Sequence, residues 1–568
     1  MGMVHVILCR CFGELDSALD LEGIRTRLEG HSDVASVDTA GSLCLPGDAA
    51  AVFSRVLERG AKKVLIGCCS PFGRGNVLRD ELIRGGLASS DVVSVDLREG
   101  CAWIHGKDPA GAVKKAWNLL DMGLASLGRA GRSDNVTVRV QPRALVIGAG
   151  ASGLSAAATL AGLGFETHLV ERTAAPGGLL NLISRTYPTG ESGPDKLKGF
   201  IGEMERNPLI TFHSGTRVES VKGYGGDFKV RVVSSGEAKL IRAGAVIVAT
   251  GARVLLPRGM MGYGSLKNVI TQMEMERRFF TGKVDCTAAV LLQCAGARSP
   301  ERPYCSTICC PLSLKNAKRV LKEVPGSRAY VLHRDIMTPG SVLEAYYREA
   351  LRAGVQFIRF DPQKPPDILG EEMFKGVEVD DAVTGIRRKI DADLLVLSTP
   401  LIPDPENQKL AEILDLPVDR YGFFEETYPL HPVETRVDGI FICGAARWPV
   451  SSDQAIQQGE TAAMKAAAFL SHEKIPALLQ SPVPGGKAGH ARADADFCTG
   501  CGNCTAVCPY GACRLQKMNG RSVSRVIKVR CKACGNCISV CPNGAMQIPE
   551  RSDRAVGEMI RRAFREVC

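Results

Sequence analysis

At 568 residues the chain is too long for one ordinary core, and about 100 to 200 residues per domain predicts three or four units. Apolar residues make 45% and charged residues 23%, with no run of about 18 apolar residues, so no helical segment is expected to span a bilayer. Net charge is +10, but the basic residues are scattered and aromatic residues make only 5%, which argues against nucleic acid and for a solvated surface suited to acidic redox partners.

Residues 1–140 alternate the β-type runs VHVILC, KVLIGCC and VVSVDL with helical stretches such as AVFSRVLERGAK and AVKKAWNLLDMGLASL. This pattern predicts a small N-terminal α/β domain. The start, MGMVHVILCRCFGELD, shows no export pattern, and 22 cysteines in a large chain of this kind point to reduced cytoplasm rather than to a disulfide framework. Cys9 or Cys11, Cys44, Cys69 and Cys101 fall at strand ends or in short loops, which an α/β sheet gathers on one edge. They are candidate ligands of an additional cluster, with buried structural thiols as the alternative. The polar stretch GRAGRSDN then forms a joint.

Residues 141–480 carry the nucleotide signals. In ALVIGAGASGLSAAATLAGLGFETHLVER an apolar strand ends in Gly148, Gly150 and Gly153 and opens into an Ala/Leu-rich helix. Gly148 makes the tight turn, Gly150 lets a pyrophosphate approach the backbone, and Gly153 lets the helix lie close to the strand. Glu171 closes the second strand, where a carboxylate accepts from ribose hydroxyls. AVIVATGAR, with Thr250 and Gly251, and GIFICGAARWPVSSDQAIQQGETAAMKAAAFL resemble the closing segments of two-dinucleotide flavoproteins, so FAD is expected rather than NAD. The usual Gly-Asp pair of the last segment is here Gly444-Ala445. Ala151, Ser152, Arg172, Gly178 and Ala455 complete the candidate cofactor residues.

Between these segments, at about 283–400, a second nucleotide subdomain reads as degenerate. AAVLLQCAGARSPERPYCSTICCP retains Gly296 alone of a phosphate cradle and brings in Cys294, Cys305, Cys309 and Cys310, candidates for a further cluster. No CxxxxC or CxxC redox pair stands beside the flavin segments, so electrons are expected to enter or leave by another carrier.

After the linker-like SPVPGGKAGHARADAD comes a ferredoxin-like domain, 486–550, built on CTGCGNCTAVCP and CKACGNCISVCP. Thiolate is a soft ligand, and this spacing wraps three corners of a [4Fe–4S] cube while the fourth thiol serves the other cube. One cluster is thus assigned to Cys498, Cys501, Cys504 and Cys541, the other to Cys531, Cys534, Cys537 and Cys508. Zinc knuckles, the alternative, use one CxxC per half-site rather than three thiols closed by CP. Cys286, Cys443, Cys513 and Cys568 are given no role, and 551–568 reads as a C-terminal tail with the dense stretch RRAFRE.

Taken in order, LCRCFG, GCCSP, LREGCAWIH, GAGASGLSAA, QCAGAR with PYCSTICC and the double cluster motif resemble the A-type iron–sulfur subunits of heterodisulfide reductase over nearly the whole length. The resemblance implies a thioredoxin-reductase-like FAD core with Rossmann-type subdomains, two or more [4Fe–4S] clusters, and electron transfer among partner redox subunits. Ferredoxin, or hydrogenase- and dehydrogenase-type proteins, would be the donors, and a homodimer is compatible with it. Some members split an electron pair at the flavin. VKGYGGDFKVRVVSSGEAKLIRAGAVIVATG runs without cysteine where long members carry a ferredoxin insert, so this is a short form, for which plain flavin-to-cluster transfer is the firmer expectation. Two other readings compete: a self-sufficient NAD(P)H oxidoreductase resembling the small subunit of glutamate synthase, and a non-catalytic scaffold. The missing second cradle argues against the first, and two intact cluster motifs against the second.

Overall fold

The computed structural model describes residues 4–71, 74–129, 137–282, 284–427, 429–476, 490–548 and 552–564. The chain forms two compact units, Met1–Val138 together with Lys474–Cys568, and Arg139–Glu473.

In the first unit β1 (Val4–Cys9), β2 (Val34–Ala40), β3 (Val64–Cys68) and β4 (Val92–Asp96) pair in parallel in the order β2-β1-β3-β4. Every residue of β1 and β3 is buried, as their continuous apolar runs require of strands covered on both faces. The edge strand β2, VASVDTA, is half polar and was not among the predicted strands. Helix Pro109–Arg129 lies close on β3, because Gly123 offers no side chain: a Cβ there would stand 2.6 Å from Leu65 Cδ1. Strand order reverses between β1 and β3, so a crevice opens at their C-terminal ends.

The cysteine-rich part of this unit is a hairpin, Cys513–Met518 with Arg521–Val526, and a short antiparallel pair, Arg492–Ala493 with Met546–Gln547. Its core holds Cys504, Cys513, Cys531 and Cys537 beside Ala512, Ala533, Met546 and Ile548. Four of the nine buried residues of this small core are thiols, so apolar burial alone gives it little stability. The segment expected as a tail contains a helix, Asp553–Ala563, packed on Pro109–Arg129. Arg562 of the dense basic stretch points inward and pairs with Asp121 at 2.7 Å and Asp33 at 3.2 Å. Most of the joint GRAGRSDN, residues 481–489 of the linker-like stretch, and Cys568 lie outside the described residues.

The second unit contains two similar halves. One is a five-stranded parallel sheet, in the order Ile440–Ile442, Ala245–Val248, Arg143–Ile147, Glu166–Val170, Ile210–His213, with a three-stranded antiparallel sheet over 216–243. The other orders Val269–Thr271, Leu394–Leu397, Ala288–Leu292, Arg328–His333 and Gln356–Arg359 in parallel, with a three-stranded antiparallel sheet over 367–391. These are two α/β dinucleotide-type subdomains. The cysteine-free stretch after Thr216 forms the first of the antiparallel sheets.

Candidate functional site

In the second unit strand Arg143–Ile147 ends in the loop 148–150 and passes at once into helix Ala151–Gly162. Gly148 has φ +105°, and a Cβ on it would stand 2.4 Å from Ala249 O. A Cβ on Gly153 would stand 1.8 Å from Gly148 O, so helix and turn are in contact through bare backbone. Gly150 differs, since a Cβ there would meet nothing within 4 Å. The space belongs to a cavity of about 920 Å³ lined by all of the candidate cofactor residues except Gly153 and Gly444. Gly444, at φ +65°, packs on Ser152 from behind, while its neighbour Ala445 reaches the cavity.

Glu171 is buried and clamped: Oε2 accepts from Ala149 N, and Oε1 from Thr173 N and Oγ1, each at 2.8 Å. Each oxygen keeps lone-pair capacity for a ribose hydroxyl. Arg172 reaches Asp404 at 2.5 Å and Glu406 at 3.2 Å, and Arg253 reaches Asp404 at 3.1 Å. Burial alone would raise the Asp404 carboxyl, but the bonds from Arg172, Glu406 N and Arg253 hold it down at about 2.

Two further helices open on the cavity, Gln272–Thr281 and Ser452–Leu470, each closed at its start by a reciprocal capping box, Thr271 with Glu274 and Ser451 with Gln454. Helix Ser452–Leu470 crosses Ala151–Gly162 in close contact, since a Cβ on Gly459 would stand 2.2 Å from Ser152 O. The S/T-x-x-E/Q spacing of both boxes is readable in TQME and SSDQ and is the signal that would have found these residues. No local pattern announces the buried ion pair Lys315–Glu276, at 2.6 Å, whose carboxylate also accepts from Ser184 N and Oγ. It ties helix Cys309–Glu323 to the loop that leads to Thr186 and Tyr187 on the cavity wall.

In the other half, strand Ala288–Leu292 does not turn straight into a helix. Residues 293–308 intervene, and the helix begins at Cys309. Cys309 lines the large cavity, its thiol donating to Thr399 O at 3.5 Å. Burial first, then the charges of Cys310, Cys294 and Cys305, pushes Cys309 well up, and burial likewise pushes Cys310 up to about 12 against a hydrogen bond with the Met337 backbone.

In the first unit Cys9 ends β1 and Cys68 ends β3, at the point where strand order reverses. Cys11 donates to Cys9 Sγ at 3.6 Å, and the amides of Leu43 and Cys11 donate to the same sulfur at 3.4 Å. The nearby thiols of Cys11 and then Cys68, followed by the charge of Arg98, hold the Cys69 thiol down at about 3 against burial. Cys68, which sequence reasoning passed over, thus joins Cys9, Cys11 and Cys69. Cys44 meets Ser42 Oγ at 3.1 Å, and the fully buried Cys101 donates instead to Ala112 O at 3.0 Å.

In the cysteine-rich part, Cys498, Cys501, Cys504 and Cys541 line one small cavity, and Cys508, Cys531, Cys534 and Cys537 line another. Backbone amides point at the sulfurs, Ser524 N at Cys498 and Ala512 N at Cys508, both 3.3 Å, and Ala491 N at Cys531, 3.4 Å. Amide donors favour the charged thiolate over the thiol, so this donor set fits a thiolate-ligated iron–sulfur cluster. Cys508 is held down at about 5, first by a hydrogen bond from Cys513 and then, against burial, by backbone amides.

Residues 142–291 match the family model of pyridine nucleotide-disulphide oxidoreductases, and residues 497–545 that of the 4Fe-4S dicluster domain. Cavity, thiol sets and matched families define an oxidoreductase of the iron–sulfur flavoprotein class. The chain is 28% identical to an A-type iron–sulfur subunit of CoB–CoM heterodisulfide reductase from Methanopyrus kandleri, over 92% of each. It is 27% identical to the A-type subunit of H(2)/formate:CoB–CoM heterodisulfide,ferredoxin reductase from Methanococcus maripaludis, again over 92% of each. With the A-type subunit of ferredoxin:CoB–CoM heterodisulfide reductase from Methanosarcina acetivorans it shares 27% identity over 92% of this chain and 79% of that one. Over nearly its whole length the chain is similar to these A-type subunits of heterodisulfide reductases. Among solved structures it is similar to thioredoxin reductase of T. acidophilum, at 18% identity and a TM-score of 0.41, over 57% of this chain and 97% of that one. No helix among the described residues is long and apolar enough to cross a membrane.

Proposed function

We propose that the chain is the FAD- and [4Fe–4S]-carrying electron-transfer subunit of a heterodisulfide-reductase-like complex in the cytoplasm. It exchanges electrons with partner redox subunits, and ferredoxin, which appears in the names of the Methanococcus maripaludis and Methanosarcina acetivorans relatives, is the favoured external partner. The observation that carries the reading is one nucleotide-sized cavity in the same chain as two thiol-lined cavities, each holding the four cysteines assigned to one cluster. Bound flavin would exchange electrons singly or in pairs and each cluster one at a time. Gly148 to Gly153 would hold the pyrophosphate and Glu171 the ribose, while the helices starting at Gln272 and Ser452 shield the remainder from water. Cys9, Cys11, Cys68 and Cys69, and likewise Cys294, Cys305, Cys309 and Cys310, are candidates for one or two additional clusters.

Direct reduction by NADH or NADPH is expected to be slow. In the half where a second pyrophosphate would bind, residues 293–308 and their thiols occupy the position of the glycine turn. Stopped-flow bleaching of the flavin by either nucleotide should stay below about 1 per second, the low end of enzyme turnover. Faster bleaching would replace this reading by the self-sufficient NAD(P)H oxidoreductase.

A further inference from the structure

The two halves of the cluster module repeat one another, CTGCGNCTAVCPYGAC over 498–513 and CKACGNCISVCPNGAM over 531–546. Each thiol in the first half has a thiol at the matching position in the second, except the last, where Cys513 faces Met546. Both side chains are buried, 1% and 2% exposed. Each lines the cavity served by the CP cysteine of its own half: Cys513 with Cys508, Cys531, Cys534 and Cys537, and Met546 with Cys541, Cys498, Cys501 and Cys504. One cavity therefore holds five thiols and the other four thiols and a thioether. The fifth thiol, on the first residue of strand Cys513–Met518, lines that cavity together with the other four.

Resting on the reading of that cavity as a [4Fe–4S] site, we propose that Cys513 is a non-ligating thiol that donates its S–H to a neighbouring ligand sulfur in that cavity and so sets the potential of that cluster above that of its sibling. Four irons are already matched by four thiols, which leaves the fifth with its proton. Reduction adds negative charge that spreads onto the ligand sulfurs, and a donor to those sulfurs stabilises the reduced form more than the oxidised one. Met546 has no proton to give, so the same position in the sibling exerts no such pull. Electron transfer between the two clusters then has a direction, with the cluster of Cys508, Cys531, Cys534 and Cys537 as its lower-energy end for an electron.

The test is a redox titration of the full chain, purified anaerobically and followed by electron paramagnetic resonance, with iron and flavin measured on each sample. Cys513→Ala and Cys513→Met should keep the parent's iron and flavin and shift one cluster's oxidised-to-reduced ratio about tenfold towards oxidised at a fixed potential, about 59 mV for one electron. The other cluster should not move. Cys513→Ser, whose hydroxyl also donates, should restore the parent value. The Met variant reproduces the sibling's side chain and guards against a packing defect in the Ala variant. An unchanged potential in both variants overturns the proposal, as does loss of one cluster's iron in both, which would make Cys513 a ligand. Parent protein holding only one cluster's iron in this module would overturn the underlying reading before any variant is made.

Discussion

In Cys541→Ser, iron is expected to leave the site of Cys498, Cys501 and Cys504, although the substitution lies in the other motif. In Cys508→Ser the site of Cys531, Cys534 and Cys537 should empty instead. The expectation follows from the two cavities, each of which takes its fourth thiol from the opposite run. A serine hydroxyl is a hard, protonated donor at neutral pH and replaces a soft thiolate poorly. Each variant should therefore lose about half of the module's iron. Each should also loosen the module as a whole, because Cys504, Cys513, Cys531 and Cys537 belong to its small core and the ligand bonds supply folding free energy that so little apolar surface cannot. The magnetic interaction between neighbouring reduced clusters should vanish from the resonance spectrum. Flavin content should stay at the parent level, since the nucleotide cavity is built wholly from Arg139–Glu473. Reduction of the flavin by reduced ferredoxin should slow sharply in both. If Cys541→Ser emptied the site of Cys531 instead, each motif would hold its own cluster and the crossed assignment would fall.

Gly150→Val should purify folded, with its iron, and without flavin. Gly150 has extended backbone, φ −78° and ψ −173°, which valine adopts readily, and a Cβ there meets no protein atom within 4 Å. The branched side chain would instead occupy the path of the pyrophosphate. A clash of about 1–3 kcal/mol corresponds to flavin binding weaker by about tenfold to a hundredfold. Gly153→Ala is the opposite case. Its Cβ would stand 1.8 Å from Gly148 O, and that carbonyl cannot retreat, because Gly148 is itself pressed on Ala249 O. This variant should lose stability of the whole nucleotide half, by about 1–3 kcal/mol or more, before any question of binding arises. Thermal melts with flavin and iron analysis separate the two. Full flavin in Gly150→Val would mean that the pyrophosphate lies elsewhere.

The sequence by itself carried the features whose physics is local. A glycine turn between strand and helix, three thiols at a helical-turn spacing closed by CP, and apolar runs such as VHVILC for β1 and VVSVDL for β4 are each specified within a dozen residues, so the fold class and the iron–sulfur flavoprotein character were legible. Edge strand β2 was less so, because a half-exposed strand has fewer apolar residues to announce it. Even the shared architecture of the two nucleotide halves, sheet for sheet, left no visible repeat, since a pleated core accepts any apolar residues of suitable size. What only the tertiary structure decided is which distant residues meet. Cys68 joins the thiols of β1, Arg172 reaches Asp404, Lys315 neutralises Glu276, Cys513 turns into a cavity lined by four other thiols, and Arg562 binds Asp121 from 441 residues away, making one unit of the first and last segments. Such contacts have no periodicity to betray them. The entropy cost of closing a loop grows only with the logarithm of its length, so a partner hundreds of residues off is nearly as accessible as one tens of residues off, and packing chooses between them.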